Sequence, residues 1–173
     1  MTGIYIHIPF CRHKCSYCDF ASFPDKMEYA EAYMACLYKE LKMRGEELKN
    51  YEFDTVYFGG GTPSLLSAEQ VKAILSWLDI APGAEITLEA NPDTLTYEKL
   101  AGFRAAGVNR LSIGVQTVYN SSLQTLGRIH DADKAALAFK NAKAAGFENI
   151  SLDLIFGYGG LTPQLWEYNL AKM

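Results

Sequence analysis

Three of the four cysteines crowd into one short stretch, as Cys11, Cys15 and Cys18 in CRHKCSYC. Clustered thiols in a reducing compartment point to metal or catalysis rather than to disulfides. Soft thiolate ligands suit iron–sulfur clusters and zinc. A four-iron cluster normally takes four cysteines, so three leave one iron open to a further ligand, much as a catalytic zinc keeps a vacant position. Zinc is the alternative, with His13 as the fourth ligand. Zinc knuckles, however, usually pair C-x-x-C units, and His13 lies only two residues from each neighbouring cysteine. The spacing therefore favours a cluster over zinc. The remaining thiol, Cys36, sits in EAYMACLYKEL and reads as a small buried hydrophobe on a helix.

Other polar residues fall in places where a ligand would need them. Gly59-Gly60-Gly61-Thr62-Pro63 lets backbone groups approach a ligand closely. A phosphate-binding loop would require a Lys-Ser or Lys-Thr after the glycines, and none follows here. Glu89 in EANPD, Gln116 in SIGVQT, Arg128 in LGRIH and Asp153 in SLDLIFG form a hydrogen-bonding set. A guanidinium fork such as Arg128 matches a carboxylate. Each has a bland reading taken alone: Glu89 as a solvated charge, Arg128 as a surface helix residue, Asp153 as the buried partner of a backbone amide. Tyr17 alone reads as half-buried packing.

These residues are placed by an alternation of strand-like and helix-like segments. IYIHI (Ile4 to Ile8) is a strand, and Met27 to Leu48 has helical spacing, with Tyr29, Tyr33, Cys36, Leu37, Leu41 and Met43 as its apolar positions. TVYF (Thr55 to Phe58) is a strand, and Ser67 with Gln70 forms a capping box ahead of a helix whose Val71, Ile74, Leu75 and Leu78 share a face. Strands follow at Glu85 to Glu89, Arg110 to Val115 and Asn149 to Phe156. Helices follow after Thr96, near Ser121 to Leu126, over Ala132 to Ala145, and from Gln164 to Lys172, with Gly107 and Gly146 as stops. Five β-then-α units imply parallel strands with right-handed crossovers, in a barrel or an open doubly wound sheet. Either way the chemistry belongs at the C-terminal ends of the strands, where the cysteine, glycine and acidic loops fall.

Composition removes several classes. The net charge of −4, from 16 basic and 20 acidic residues, gives no electrostatic case for nucleic acid. No apolar run is long enough to span a bilayer, and MTGIYIHIPF lacks the order of a signal peptide. A soluble cytoplasmic protein is expected. The helical pattern of LAKM runs to the end without a cap, which reads as a partial domain, residues 1–173, lacking later barrel units and whatever lies beyond them.

Together YIHIPFCRHKCSYCDF, FGGGTPS, EANPDTLT, NRLSIGVQT, LGRIH and ISLDLIFG resemble the coproporphyrinogen-dehydrogenase-like radical-SAM family. The resemblance covers essentially the whole chain. It implies an α/β fold, an incomplete (β/α)6 barrel with about five of its units present. It also implies a 4Fe–4S cluster on Cys11, Cys15 and Cys18 whose open iron chelates S-adenosylmethionine (SAM). The family's SAM contacts map onto Tyr5, Tyr17, Gly60, Gly61, Thr62, Glu89, Gln116, Arg128 and Asp153.

The family has two branches, an oxygen-independent dehydrogenase that oxidises coproporphyrinogen III and a heme chaperone. The dehydrogenase resembles C-x-x-x-C-x-x-C-x-C; here Phe20 takes the place of the extra cysteine, which is similar to the chaperone branch. That branch implies heme and a respiratory heme-acceptor protein as partners, any membrane association running through the acceptor, and an electron donor of flavodoxin or ferredoxin type. Two departures stand out. The loop after the fifth strand, Gly157-Tyr158-Gly159-Gly160-Leu161-Thr162, lacks the proline and glutamine of the family's G-L-P-G-Q-T, and the chaperone branch's His-Asn-x-x-Tyr-Trp stretch does not occur in these residues. His7 is expected in the barrel interior or its hydrogen-bond network, His13 exposed in the cysteine loop, and His130 at a helix start beside Asp131. None of the three is favoured as a heme ligand.

Overall fold

The structure is a computed structural model that describes residues 1–173. Its frame is a five-stranded parallel sheet in the order β1 (Gly3–Ile8), β4 (Phe53–Gly60), β5 (Ile80–Ala90), β6 (Arg110–Gln116) and β7 (Asn149–Leu154). Two short strands, β2 (Phe10–Cys11) and β3 (Phe23–Pro24), pair with each other and close the neck of the cysteine loop. The crossovers carry α1 (Ala30–Met43), α2 (Gly45–Leu48), α3 (Ala68–Leu75), α4 (Tyr97–Ala106), α5 (Asn120–Thr125) and α6 (Ala132–Ala144), and α7 (Pro163–Lys172) follows the last strand. The parallel order and the repeated βα units are those of the incomplete (β/α)6 barrel expected from the sequence.

Each strand alternates with period two. Ile6, Ile8, Val56, Phe58, Ile86, Leu88, Leu111 and Ile113 belong to one buried core, which Leu100 and Phe103 of α4 and Val71 and Ile74 of α3 complete. The residues between them are Tyr5, His7, Tyr57, Thr87, Glu89, Ser112 and Asp153. A parallel sheet covered by helices on both faces reads as a continuous apolar run. The alternation here instead leaves one face of the sheet polar, and the site is built on that face. Register keeps this row together: Tyr5 lies opposite Tyr57, Glu89 opposite Ser112, and Gly114 opposite Asp153.

Helix signals behaved as their chemistry predicts. Ser67 and Gln70 form the full capping box of α3, Thr96 accepts from the Lys99 amide at the start of α4, and Gly107 closes α4 at φ 115°. The stretch over 27–48 differs from the single helix expected. It opens with a 3-10 turn at Met27–Tyr29, continues as α1, and breaks at Arg44, where φ −89° and ψ 4° leave the helical region before α2. Of the apolar positions read from the sequence, Leu41 is buried and Tyr33 and Leu37 pack against the core, while Tyr29 and Met43 are exposed and the buried Met34 was missed. Cys36, expected to be buried, is exposed. It sits two residues beyond Met34, about 200° around the helix and thus away from the core stripe. Strand ends also moved: β5 begins at Ile80, and β7 stops at Leu154.

Candidate functional site

The residues from Pro9 to Phe23 form a loop that folds back on itself. The Phe23 amide donates to the Pro9 carbonyl at 2.7 Å, and His7 Nε2 lies 2.8 Å from the Ala21 carbonyl oxygen. The Lys14 ammonium spends its donors inside the loop, on the Phe20 carbonyl at 2.8 Å, the Ser22 hydroxyl at 3.0 Å and the Ser22 carbonyl at 3.3 Å. Cys11 is buried, and Cys15 and Cys18 are half-buried. The loop is also tied to the segment after β6, through the Ser16 amide to the Leu126 carbonyl at 3.2 Å.

The glycine run closes on this loop from β4. The Gly61 amide donates to the Ile8 carbonyl at 2.8 Å. An ideal Cβ on Gly61 would sit 2.5 Å from the Phe10 carbonyl oxygen and 2.9 Å from the Cys11 sulfur. The approach is thus possible only for glycine. Thr62, fully buried beside it, donates its hydroxyl to the Cys11 sulfur at 3.5 Å.

The polar row supplies the opposite wall. Glu89 accepts from the Tyr57 hydroxyl at 2.8 Å and from the Gly60 amide at 3.2 Å, so it is a bonded group rather than a loose strand-end charge. Asp153 accepts from Ser112 at 2.7 Å and from Ser151 at 3.3 Å. These partners are hydroxyls; the backbone amide of the bland reading is not among them. Gln116 ends β6 at φ 72°, where the register with β7 shifts. Left-handed backbone in a residue other than glycine carries strain, which collects at functional sites. Arg128 is no surface residue: its Nη2 donates to Asn91 Oδ1 and to the Gly114 carbonyl, both at 2.7 Å, and its Nη1 reaches the Cys15 sulfur at 3.5 Å and the Tyr17 hydroxyl at 3.4 Å.

Burial pushes the Tyr17 phenol up to about 12 against the opposing pull of Arg128, so Tyr17 is a neutral donor or acceptor. Tyr57 is likewise raised, first by burial and then by the hydrogen bond to Glu89. Burial, with the Arg128 charge next, lowers the His130 imidazole to about 4. His130 is thus a neutral side chain whose Nε2 meets the Val115 carbonyl at 3.2 Å, sited as expected beside Asp131, the N-cap of α6.

One cleft of about 660 Å³ runs between the cysteine loop and the polar row, within the range of small-molecule sites. Cys11, Cys15, Cys18, Tyr17, Gly60, Gly61, Thr62, Glu89, Gln116, Arg128 and Asp153 all line it. Tyr5 does not: it stacks on Tyr57 with ring centroids 6.0 Å apart, and its hydroxyl lies 3.1 Å from His7 Nδ1. Sequence reasoning missed Tyr57, Asn91, Ser112 and Ile155, which also line the cleft. The period-two pattern carried the signal for Tyr57 and Ser112. Asn91 and Ile155 lie inside the stretches EANPD and SLDLIFG, but neither was singled out there.

No three His, Cys, Asp or Glu side chains converge as a set on a position for one metal ion. A single zinc would need ligands about 2.3 Å from one point. A four-iron cluster does not, because each thiolate binds a different iron. Three free thiols around an open cleft, two with donors at their sulfurs, fit the cluster.

The heme chaperone HemW of Bacillus subtilis is 39% identical over 175 residues, which cover 98% of this chain and 46% of that protein. HemW of Escherichia coli is 42% identical over 160 residues, 90% of this chain and 42% of that one. The chain thus spans less than half the length of these curated relatives. Among solved structures, coproporphyrinogen III oxidase (HemN) from Escherichia coli superposes with a TM-score of 0.89 at 27% identity, over 99% of this chain and 40% of that one. Methylornithine synthase (PylB), at TM-score 0.67 and 19% identity, shares the fold. The profile of the Radical SAM superfamily matches residues 5–169, from within the first strand into the last helix. The cysteine loop, the glycine run and the polar strand ends thus lie within one family pattern, and the chain belongs to the Radical SAM superfamily.

Proposed function

We propose that this chain is the cluster- and SAM-binding core of a heme chaperone, a protein that binds heme and passes it to an acceptor in the cytoplasm. The observation that carries the reading is the similarity to HemW proteins over nine-tenths or more of the chain, joined to Phe20 standing where the dehydrogenase branch has a cysteine. Cys11, Cys15 and Cys18 would hold the cluster, and Tyr17, Gly60, Gly61, Thr62, Glu89, Gln116, Arg128 and Asp153 would surround SAM, with Tyr5 supporting from behind Tyr57. When bound, the cluster would supply the electron for reductive cleavage of the SAM sulfonium.

The chain's own residues prepare the site. Arg128, fixed by Asn91 and the Gly114 carbonyl, presents a cation at the cleft wall beside Cys15, where a carboxylate would be attracted. Glu89, oriented by Tyr57 and the Gly60 amide, and Asp153, oriented by Ser112, offer acceptors for an ammonium or for hydroxyls. A zinc-binding structural module would need these thiols and a fourth ligand gathered about one ion, and no group of three or more such ligands is gathered in that way.

The dehydrogenase is the second reading, favoured by the 0.89 TM-score to HemN. Two assays on the anaerobically reconstituted full-length protein separate the two. The chaperone reading expects saturable heme binding and no conversion of coproporphyrinogen III. Formation of vinyl product overturns it.

A further inference from the structure

Asn91 follows β5 and enters the reading above only as an anchor for Arg128, yet two of the three cysteine sulfurs connect through it. Its Oδ1 accepts from Arg128 Nη2 at 2.7 Å, and its Nδ2 donates to Thr62 Oγ1 at 3.1 Å. A guanidinium has only donors, so this contact fixes which way the amide faces. Beyond Asn91 the arc continues on both sides. Arg128 Nη1 donates to the Cys15 sulfur, and the Thr62 hydroxyl, filled as an acceptor by Asn91, donates to the Cys11 sulfur, each at 3.5 Å.

Asn91 is itself held firmly. Its amide donates to Ser64 Oγ at 3.3 Å, and Thr94 Oγ1 donates to its carbonyl at 2.8 Å. Ser64 and Thr94 meet each other at 2.6 Å, and both are buried. A pair of buried hydroxyls from two different loops therefore fixes the backbone from which the side chain projects. This is the arrangement by which groups outside the ligand set orient ligands and tune a metal.

We propose that Asn91 is a positioning residue for the cluster: it holds Arg128 and Thr62 as hydrogen-bond donors against the sulfurs of Cys15 and Cys11, and through them sets the cluster's reduction potential. The inference rests on the cluster reading above. Donors to cluster sulfurs stabilise the more negative, reduced state and raise the potential. Removing Asn91 loosens both donors at once: Arg128 keeps only the Gly114 carbonyl as an acceptor for its Nη2, and Thr62 loses the amide that fills its hydroxyl oxygen. Asn91→Asp acts differently, because a carboxylate keeps Arg128 but draws the Thr62 hydroxyl away from Cys11 and adds a negative charge.

The test is a redox titration of the full chain, loaded anaerobically with iron and sulfide, followed by cluster absorbance and by the paramagnetic signal of the reduced form. Asn91→Ala is expected to titrate at a more negative midpoint than wild type, and Asn91→Asp at a more negative one still. Thr62→Val, which keeps the shape and removes the hydroxyl, is expected to shift the same way. The double variant Thr62→Val with Asn91→Ala is expected to shift by less than the two single shifts together, because both act on the Cys11 donor. A purely structural role would lower iron content or the melting temperature and leave the midpoint unmoved. A wild-type midpoint in loaded Asn91→Ala overturns the proposal; if that variant does not load, a wild-type midpoint in Thr62→Val does so. Failure of the wild-type chain to take up iron overturns the cluster reading itself and this inference with it.

Discussion

Adding one methyl group to Gly61 tests whether the glycine run shapes the cysteine loop. In Gly61→Ala the new Cβ would lie 2.5 Å from the Phe10 carbonyl oxygen and 2.9 Å from the Cys11 sulfur, so reaching an ordinary contact near 3.4 Å requires a displacement of about 0.9 Å. Neither side can yield freely. The Gly61 amide is tied to Ile8, and the Phe23–Pro9 bond closes the loop on the other side. Overpacking of this kind costs about 1–3 kcal/mol, which weakens cluster binding by roughly 5- to 150-fold if the strain falls on the loaded loop. The assay is iron and sulfide content after anaerobic reconstitution at limiting iron, with melting of the apo-protein measured in parallel. Gly159→Ala, whose Cβ would meet nothing within 4 Å, is the control and should load as wild type does. A Gly61→Ala chain that loads as well as Gly159→Ala would refute the idea that backbone approach at Gly61 shapes the cluster loop.

Cys15→Ala should abolish cluster assembly while Cys36→Ala leaves it intact, read by iron content and visible absorbance; the reverse pattern would mean the ligand set is misassigned. His130 gives a pH signature. Its folded-state value of about 4 lies below the unfolded value of 6.5, so the unfolded chain takes up a proton that the folded chain refuses as pH drops between them. Its contribution is therefore fully present above pH 6.5 and is lost progressively toward pH 4, amounting to on the order of 2–3 kcal/mol. Urea midpoints of the apo-protein at pH 7.5 and 5.0 should show a smaller drop in His130→Gln than in wild type, and parallel drops would contradict the burial argument. Phe103→Ala, at a fully buried side chain of α4, should cost about 3–5 kcal/mol in unfolding free energy, and a loss below 1 kcal/mol would show that the core there closes over the gap.

The parts of this structure legible in the sequence were those set by local chemistry. The strands in IYIHI and RLSIGV, the Ser67–Gln70 box and the stop at Gly107 act over a few residues, and all appear in the fold. Eleven of the twelve expected site residues line one cleft, because strand C-termini in a parallel sheet share one end. The failures had longer reach. Helical spacing could not decide whether Cys36 or Met34 faced the core, since this depends on how α1 docks on the sheet. Asn91 lies in the EANPD stretch, but its role was not legible because its partners, Thr62 and Arg128, lie 29 and 37 residues away. Tyr5 shares the inner face with Tyr57, but stacking against that ring keeps it out of the cleft lining.

The account stands on three thiolates that leave one iron of a cluster free for SAM. The most direct measurement is the low-temperature paramagnetic spectrum of the reduced, anaerobically reconstituted chain before and after SAM is added. The account predicts about four irons per chain and a spectrum that changes on adding SAM. One zinc per chain, or a cluster whose spectrum ignores SAM, would contradict it.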